Sequence, residues 1–571
     1  MKVRNWIALA LGTAIALGGS YAAYTLATFS WNQVVDYRGP YAKAALPTSA
    51  APADDPARPR RVVYVIVDGL RDDASRAMPA LQRLRVGGFD AVVQTAQPSL
   101  SFPNWTTLLS GAPQRISGVT TNWFEGRVPV ETLVDTALRS GRGLVVAAPT
   151  DFEQLYGVQR AEGVFLRDWT EDSYMSGEIV DHAISLAKES TAALVLVHLP
   201  DIDEAGHRSG GASTDYRDTA TKVDADLGRL VEALQDGTTT FVVASDHGHI
   251  DTGGHGGWEP VVTRVPVVLA GPDIRLGTGT GAQDQVASTV AFLAGLPVPR
   301  NTIAKPLDAT VGSADGRFET ARLAALAAYG SAVASGMPGG VGASTGADPE
   351  ARFEQLTEAR LAAERADRLP VSLAMAVAAL AVVAAIGLLS WRALVAALAG
   401  TVGYYAVYNA LYFGLHRYGP WSLSSFNSES MLKGFMNARM IEAIVAGVIA
   451  AAIAADVYLF TRTEPRRPTG VYLAGWLTLG TATVLTVQAT LALQVAWYLW
   501  RWGAALTWYI PDLASGFKYD LDLIQATAIG AVALIGPVVT YLVGRYHPVR
   551  KAAGTAVADR GAAAAPADEG A

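Results

Sequence analysis

Short apolar runs rich in β-branched residues recur through the first half of the chain, and long uninterrupted ones fill much of the second. The run at 62–67, VVYVIV, closes on Asp68 and Gly69 and then on charge. An apolar run of this length ended by a turn signal predicts a buried parallel strand, and open α/β sheets place their ligands at the carboxyl ends of such strands. FDAVVQT (89–95), GLVVAAP (143–149), ALVLVHLPD (193–201), TFVVASDHG (240–248) and VPVVLAGP (265–272) share the pattern, with amphipathic stretches such as 216–234 between them. This alternation predicts an α/β domain over 62–312, built on a parallel sheet covered on both faces.

The longer runs belong to a different medium. After Lys2 and Arg4 the chain carries no charge until residue 36, enough to cross a bilayer as a helix. A cleaved signal peptide is the other reading of 1–35; a retained anchor is favoured because the uncharged run exceeds the usual signal core. Residues 36–61, rich in Ala, Pro and Asp toward their end, read as a linker. Residues 313–369 carry alanine-rich helical patterns, 318–334 and 349–369, around a glycine-rich break, and are expected to pack on the α/β domain or form a stalk. Apolar runs at 370–390, 393–415, 441–460, 471–500 and 523–543 then make a five-span membrane domain over 370–545, six spans with the first, followed by a tail at 546–571.

Basic residues orient these spans. With the amino terminus in the cytoplasm, the inside segments hold Lys2, Arg4, Arg392, Arg462, Arg466, Arg467, Arg545, Arg550, Lys551 and Arg560, while the outside loops hold Arg417, Lys433, Arg439, Arg501 and Lys518. The bias predicts a multi-pass cell-membrane protein with both termini cytoplasmic and the α/β domain outside. Trp421, Trp500, Trp502 and Trp508 near span ends fit interfacial anchors. Asn409, Glu442 and Gln488 are polar positions within or near the spans, where an ionisable group is a functional suspect.

Composition narrows the chemistry. Half of the 571 residues are apolar and the mean hydropathy is positive, which suits a chain partly in lipid. A net charge of −7 gives no footprint for a nucleic-acid polymer. The absence of cysteine excludes disulfides, thiolate metal sites and cysteine nucleophiles. Any metal must be held by His, Asp, Glu or hydroxyl groups.

Such groups cluster. Of eight histidines, His198, His207, His247, His249 and His255 fall within one short region. Asp203 and His207 in DEAGH stand four apart, which brings carboxylate and imidazole to one side of a turn, and Gly206 permits close approach. Asp246 and His247 follow directly on an expected strand, and His255 sits in GGHGG. Carboxylate and imidazole donors without thiolate suit zinc, manganese or iron. In SLSFPNW (99–105), Pro103 fits the first turn of a helix, which puts Ser101 at a positive helix end where phosphate is attracted. Ser101 is the candidate nucleophile; Ser99 competes on local grounds, and a plain helix cap is the alternative for either.

DGLRDD, SFPN, DEAGH, SDHG and GGHGG, in this order and spacing over 62–258, resemble the alkaline phosphatase superfamily, in particular its type I phosphodiesterase/nucleotide pyrophosphatase branch and the GPI ethanolamine phosphate transferases. The resemblance implies an alkaline phosphatase-like sandwich domain and two divalent metal ions, zinc first and manganese second. Asp68, Ser101, Asp246 and His247 would hold one ion, and Asp203, His207 and His255 the other. Asn104 would hydrogen-bond a phosphoryl oxygen. Family nucleophiles are commonly threonine, so Ser101 departs while keeping the hydroxyl; Trp105 stands where a sulfatase frame needs arginine. The implied activity is hydrolysis of a phosphodiester or pyrophosphate through a phospho-serine, on a nucleotide or phospholipid-type substrate. The alternatives are phosphoethanolamine transfer to a lipid-linked glycan, which VTTNW (119–123), the Asp251 to His255 spacing and the multi-span half favour, and a catalytically inactive membrane scaffold. The membrane half either presents a lipid substrate or serves only as an anchor.

Overall fold

A computed structural model describes residues 2–44, 46, 61–169, 173–309, 316–337, 348–415, 421–425, 431–461 and 473–546. Most of the expected linker, the tail beyond residue 546, and Arg417, Arg462, Arg466, Arg467, Arg550, Lys551 and Arg560 lie outside the described residues.

The α/β half is built on an eight-stranded sheet. Its strands are β1 (Arg61–Val67), β2 (Gly88–Gln94), β3 (Leu144–Pro149), β4 (Gly163–Arg167), β5 (Leu194–Leu199), β6 (Thr239–Ser245), β7 (Arg264–Ala270) and β8 (Gly277–Ala282), in the spatial order β4-β3-β5-β1-β6-β7-β2-β8. β1 lies between β5 and β6, parallel to both, with Val67 level with Leu199 and with Ser245. Side chains alternate across the sheet. Val62, Tyr64 and Ile66 enter one core with the Ser101–Ser110 and Gln285–Ala294 helices, while Val63, Val65 and Val67 enter a second with the Ser176–Glu189 and Thr214–Leu234 helices.

The sheet departs from the all-parallel expectation at one strand. β7 runs antiparallel to both β6 and β2. The chain returns from β6 to β7 through a loop with only the short Pro260–Thr263 helix in it, and a return without a crossover helix yields an antiparallel neighbour. Because β2 is antiparallel to β7, it again points the same way as β6, so the carboxyl ends of β1, β2, β5 and β6 share one edge.

Among the described residues, six helices are long and apolar enough to cross a membrane: Val3–Val35, Pro349–Leu389, Trp391–Leu415, Leu432–Phe460, Leu473–Arg501 and Leu513–Tyr546. The second begins well before its expected start. Pro349–Leu389 is one 41-residue helix with Pro370 inside it, so the 349–369 segment and the span form a single rod. Its early residues Phe353 and Leu356 pack in the sheet's first core beside Tyr41 and Tyr329. The connector therefore packs on the α/β domain, and Tyr41 shows that the start of the expected linker is packed as well.

The α/β domain rests on the end of the bundle opposite Lys2 and Tyr546. Thr120 Oγ1 donates to the Val34 carbonyl at the close of the first span, and Trp31 meets Trp123 edge-on at 5.4 Å. Trp508, between the fifth and sixth spans, donates from Nε1 to Glu364 at 2.8 Å and lies under the Arg360 guanidinium.

Candidate active site

The shared edge of β1, β5 and β6 gathers the candidate residues. Asp68 follows β1, Asp246 and His247 follow β6, and β5 leads into the Asp201–Ser209 helix that carries Asp203 and His207. The level register of Val67, Leu199 and Ser245 makes these groups neighbours although they are far apart in sequence. Ser101 is the first residue of the Ser101–Ser110 helix, after the loop leaving β2. His255 comes from the loop between β6 and β7.

Asp68, Asp246, His247 and Ser101 form one group. Asp246 is fixed by three N–H donors, from Gly69 (3.0 Å) and His247 (2.8 Å) to Oδ1 and from the Trp105 indole (2.9 Å) to Oδ2. His247 Nε2 lies 3.3 Å from Asp246 Oδ2, 3.5 Å from Asp68 Oδ1 and 3.2 Å from Ser101 Oγ. Both Asp68 oxygens are buried without a hydrogen bond. Burial first, and the Asp246 and Asp203 charges next, push the Asp68 carboxyl well above its usual range. Buried carboxylates side by side are costly unless a cation or protons neutralise them.

Asp203, His207, His249 and His255 form the second group. Asp203 Oδ1 lies 2.7 Å from His249 Nε2 and Oδ2 lies 3.2 Å from His207 Nε2. Burial pushes the Asp203 carboxyl up, but the His207 and His249 rings outweigh it and hold the group well below the usual range. His255 Nδ1 lies 3.1 Å from the Ser99 carbonyl, which can only accept, so that nitrogen carries the proton. In the neutral ring His255 Nε2 is then a bare lone pair, and it faces His207 Nε2 at 3.2 Å. Burial drives the His255 pKa well below 6.5.

These donors fit metal ions. Asp68, Asp246 and His247 can each offer an atom within 4.8 Å of the others, as can Asp203, His247, His249 and His255. Two unpartnered carboxylate oxygens and a lone pair aimed at a second imidazole are the pattern expected of groups that share cations. All seven expected metal ligands thus lie in one place, with His247 between the two groups.

His249 joins them, although the sequence reading gave it no role. It lies against Gly206: a Cβ there would stand 2.5 Å from the His249 Cδ2 and Nε2 atoms. His198 is also drawn in. It is fully buried on β5 with Nε2 3.0 Å from Asp68 Oδ2, and it packs edge-on against Trp105. Arg71 of DGLRDD ties neighbouring segments together, donating to Asp73 and to Asp251, each at 2.7 Å, and to the His249 carbonyl at 3.4 Å.

Asn104 does not stand where a phosphoryl contact requires. It is fully buried, its amide nitrogen donates to the Asp246 carbonyl (2.8 Å) and the Ser99 hydroxyl (3.3 Å), and its oxygen accepts from Gln114 (2.7 Å). No amide proton is left for a ligand, because the helix register turns Asn104 inward from Ser101. Asn122 takes the adjacent place, accepting the Phe102 N–H at 3.0 Å beside Ser101 while staying half-buried. VTTNW was the available signal. Ser99, the competing nucleophile, is buried with its hydroxyl 2.8 Å from Thr95 Oγ1, away from the metal-type donors.

The membrane half closes one wall of this site. Residues 421–425, between the third and fourth spans, reach the glycine-rich loop around His255. Ser424 Oγ accepts the Gly257 N–H at 3.1 Å and donates to Glu259 Oε2 at 2.9 Å. Approach is so close at Gly257 that a Cβ there would overlap the Ser422 hydroxyl. Leu423 and Leu100 both pack on Gly256.

Part of the chain is similar to known proteins. Residues 62–263 match the family model described as type I phosphodiesterase / nucleotide pyrophosphatase. Human GPI ethanolamine phosphate transferase 1 is 25% identical over 299 residues, covering 43% of this chain and 32% of the relative. The human GPI ethanolamine phosphate transferase 2 catalytic subunit is 23% identical over 268 residues, covering 43% and 27%. The chain thus spans about a third of the length of the curated relatives it matches. Among solved structures, murine ectonucleotide pyrophosphatase/phosphodiesterase 5 in complex with AMP aligns at 14% identity and a TM-score of 0.36, over 42% of this chain and 96% of that one. Wild-type alkaline phosphatase PafA aligns at 12% and 0.38, over 45% and 99%.

Proposed function

We propose, from an alkaline phosphatase-superfamily domain at residues 62–263, that this membrane protein transfers a phospho-alcohol group, phosphoethanolamine in the first instance, from a phospholipid-type diester to a lipid-linked glycan. The sequence reading ranked hydrolysis first; similarity to GPI ethanolamine phosphate transferases reverses that order. The observation that carries the choice is the docking of the 421–425 loop on the His255 loop, which sets the nucleophile against the membrane half rather than in open water. Hydrolysis of a phosphodiester stands second, favoured by the family model at 62–263.

Asp68, Ser101, Asp246 and His247 would hold one divalent cation and Asp203, His207 and His255 the other, zinc before manganese by donor type, with His249 bracing Asp203. When bound, the cations supply the positive charge that lowers the serine pKa and stabilises the departing oxygen. Ser101 Oγ attacks phosphorus, the first alcohol leaves with a proton, and a phospho-serine remains. The acceptor hydroxyl then attacks from the vacated side and frees Ser101. Asn122, rather than Asn104, offers an amide proton to a phosphoryl oxygen. The basic-residue bias puts this site outside the cytoplasm and both termini inside.

The test uses the detergent-solubilised full chain with labelled phosphatidylethanolamine and a mannosylated glycolipid. Acceptor-dependent transfer that is lost in Ser101→Ala and with chelator supports the reading. Release of phosphoethanolamine to water at an equal rate without acceptor refutes transfer in favour of hydrolysis.

A further inference from the structure

A cavity with about 1000 Å³ between its walls, counting the part open to solvent, lies where the membrane half meets the catalytic domain. Trp31 closes the first span's wall, Phe517 the sixth span's, and Ile510 the connecting loop's, while Leu100 and Trp123 belong to the catalytic domain and Leu423 to the loop that docks on it. The walls are mostly apolar, and the cavity lies at the close of the first span, the close of the fifth and the start of the sixth, where spans of this kind meet the bilayer surface. Hydrocarbon chains are the abundant apolar molecules there, and water gains nothing from such walls. Leu100 precedes Ser101 in the chain, so their Cα atoms are about 3.8 Å apart. Asp512 and Asp520 also line the space and offer no partner to an anionic headgroup.

We infer that this cavity seats one acyl chain of a zwitterionic glycerophospholipid substrate and so brings its phosphodiester to Ser101. The inference rests on the phospholipid-donor reading above and gives it a location. The membrane half is then part of the binding site: the first and sixth spans and the loop before the sixth hold the chain while the catalytic edge holds the phosphate. Gly516 provides a way to fill the space. A Cβ there meets only the Tyr498 hydroxyl, at 3.6 Å, so Gly516→Trp projects an indole into the cavity without displacing backbone.

The experiment is photolabelling of the full-length protein in nanodiscs of phosphatidylcholine carrying a trace of phosphatidylethanolamine with a diazirine at the end of one acyl chain. Peptide mapping is expected to find label on residues 31–34 and 506–517, at least fivefold reduced in Gly516→Trp and unchanged at the bilayer-facing Val377 and Leu380. A matched phosphatidylglycerol probe is expected to label the cavity several-fold less. Label confined to bilayer-facing positions, cavity label insensitive to Gly516→Trp, or equal labelling by the anionic probe overturns the inference. Labelling needs no turnover and is expected to persist in Ser101→Ala. Cavity label with no transfer activity in the wild type therefore condemns the transferase reading alone, and transfer without cavity label condemns only the lipid seat.

Discussion

Replacing Gly206 by alanine inserts one methyl group against the His249 ring. The new Cβ would sit 2.5 Å from Cδ2 and Nε2, about 1 Å inside ordinary carbon contact. The helix backbone is held by the Gly210 N–H on the Gly206 carbonyl at 2.9 Å, so the ring must yield. Its 2.7 Å contact with Asp203 is then lost. Overpacking costs about 1–3 kcal/mol and a hydrogen bond to a charged group about 1.5–3, while alanine returns about 1 in helix propensity, which leaves a net loss of roughly 1.5–5 kcal/mol. The assay is intrinsic-fluorescence melting of the full chain in detergent at a fixed scan rate, with bound metal counted in parallel. Gly206→Ala is expected to melt at least about 3 °C lower, at about 2 °C per kcal/mol for a domain of this size. In a His249→Ala background the same change is expected to cost nothing, because the obstructing ring is gone. An equal cost in both backgrounds, or none in either, refutes the steric argument.

Asp284, with Oδ1 buried and unpartnered, has its pKa pushed up to about 6 by burial against the opposing pull of Arg115. A raised carboxyl favours the fold below the unfolded pKa and loses that contribution as pH rises through the folded value, about 3 kcal/mol in all. Asp284→Asn should therefore stabilise the protein by up to that amount at pH 7 and hardly at all at pH 4; the opposite pH trend in melting would count against the burial argument. Asn122→Ala is expected to lower kcat about 100-fold with little change in Tm. Asn104→Ala, by contrast, should lower Tm through the lost Asp246 and Gln114 bonds; a kcat loss at unchanged Tm would restore Asn104 to a phosphoryl contact. Chelation should destabilise the full chain by leaving the buried carboxylates of Asp68 and Asp246 without a neutralising cation, and added zinc should restore the melt; equal melts with and without chelator would exclude resident cations.

β1, β2, β3, β5, β6 and β7 were readable because each is a compact apolar run ended by a turn or a charged residue. β8, sequence GTGTGA, was not: an edge strand of glycine and threonine, largely exposed, carries no hydrophobic period to detect. β4 is short and half-buried and escapes for the same reason. The direction of β7 was hidden because alternation records which face is buried, never which way a strand runs. The motifs and the family they resemble brought Asp68, Ser101, Asp203, His207, Asp246, His247 and His255 to attention: Asp68 and Asp246 directly follow strands, Ser101 opens a helix, and Asp203 and His207 stand four apart on another. His249 and Asn122 depend on how loops fold back across the edge. Asn104 was misread because a local motif does not say which side of a helix faces the ligand.

The Pro349–Leu389 helix passes unbroken from the catalytic core at Phe353 to the bundle core at Ile386, a rod of about 60 Å at 1.5 Å per residue. Spans answer a thicker or thinner bilayer chiefly by tilting. A lever held at both ends would carry that tilt to Phe353 and Leu356 beneath the sheet, an expectation that melting of the full chain in bilayers of different acyl length would check.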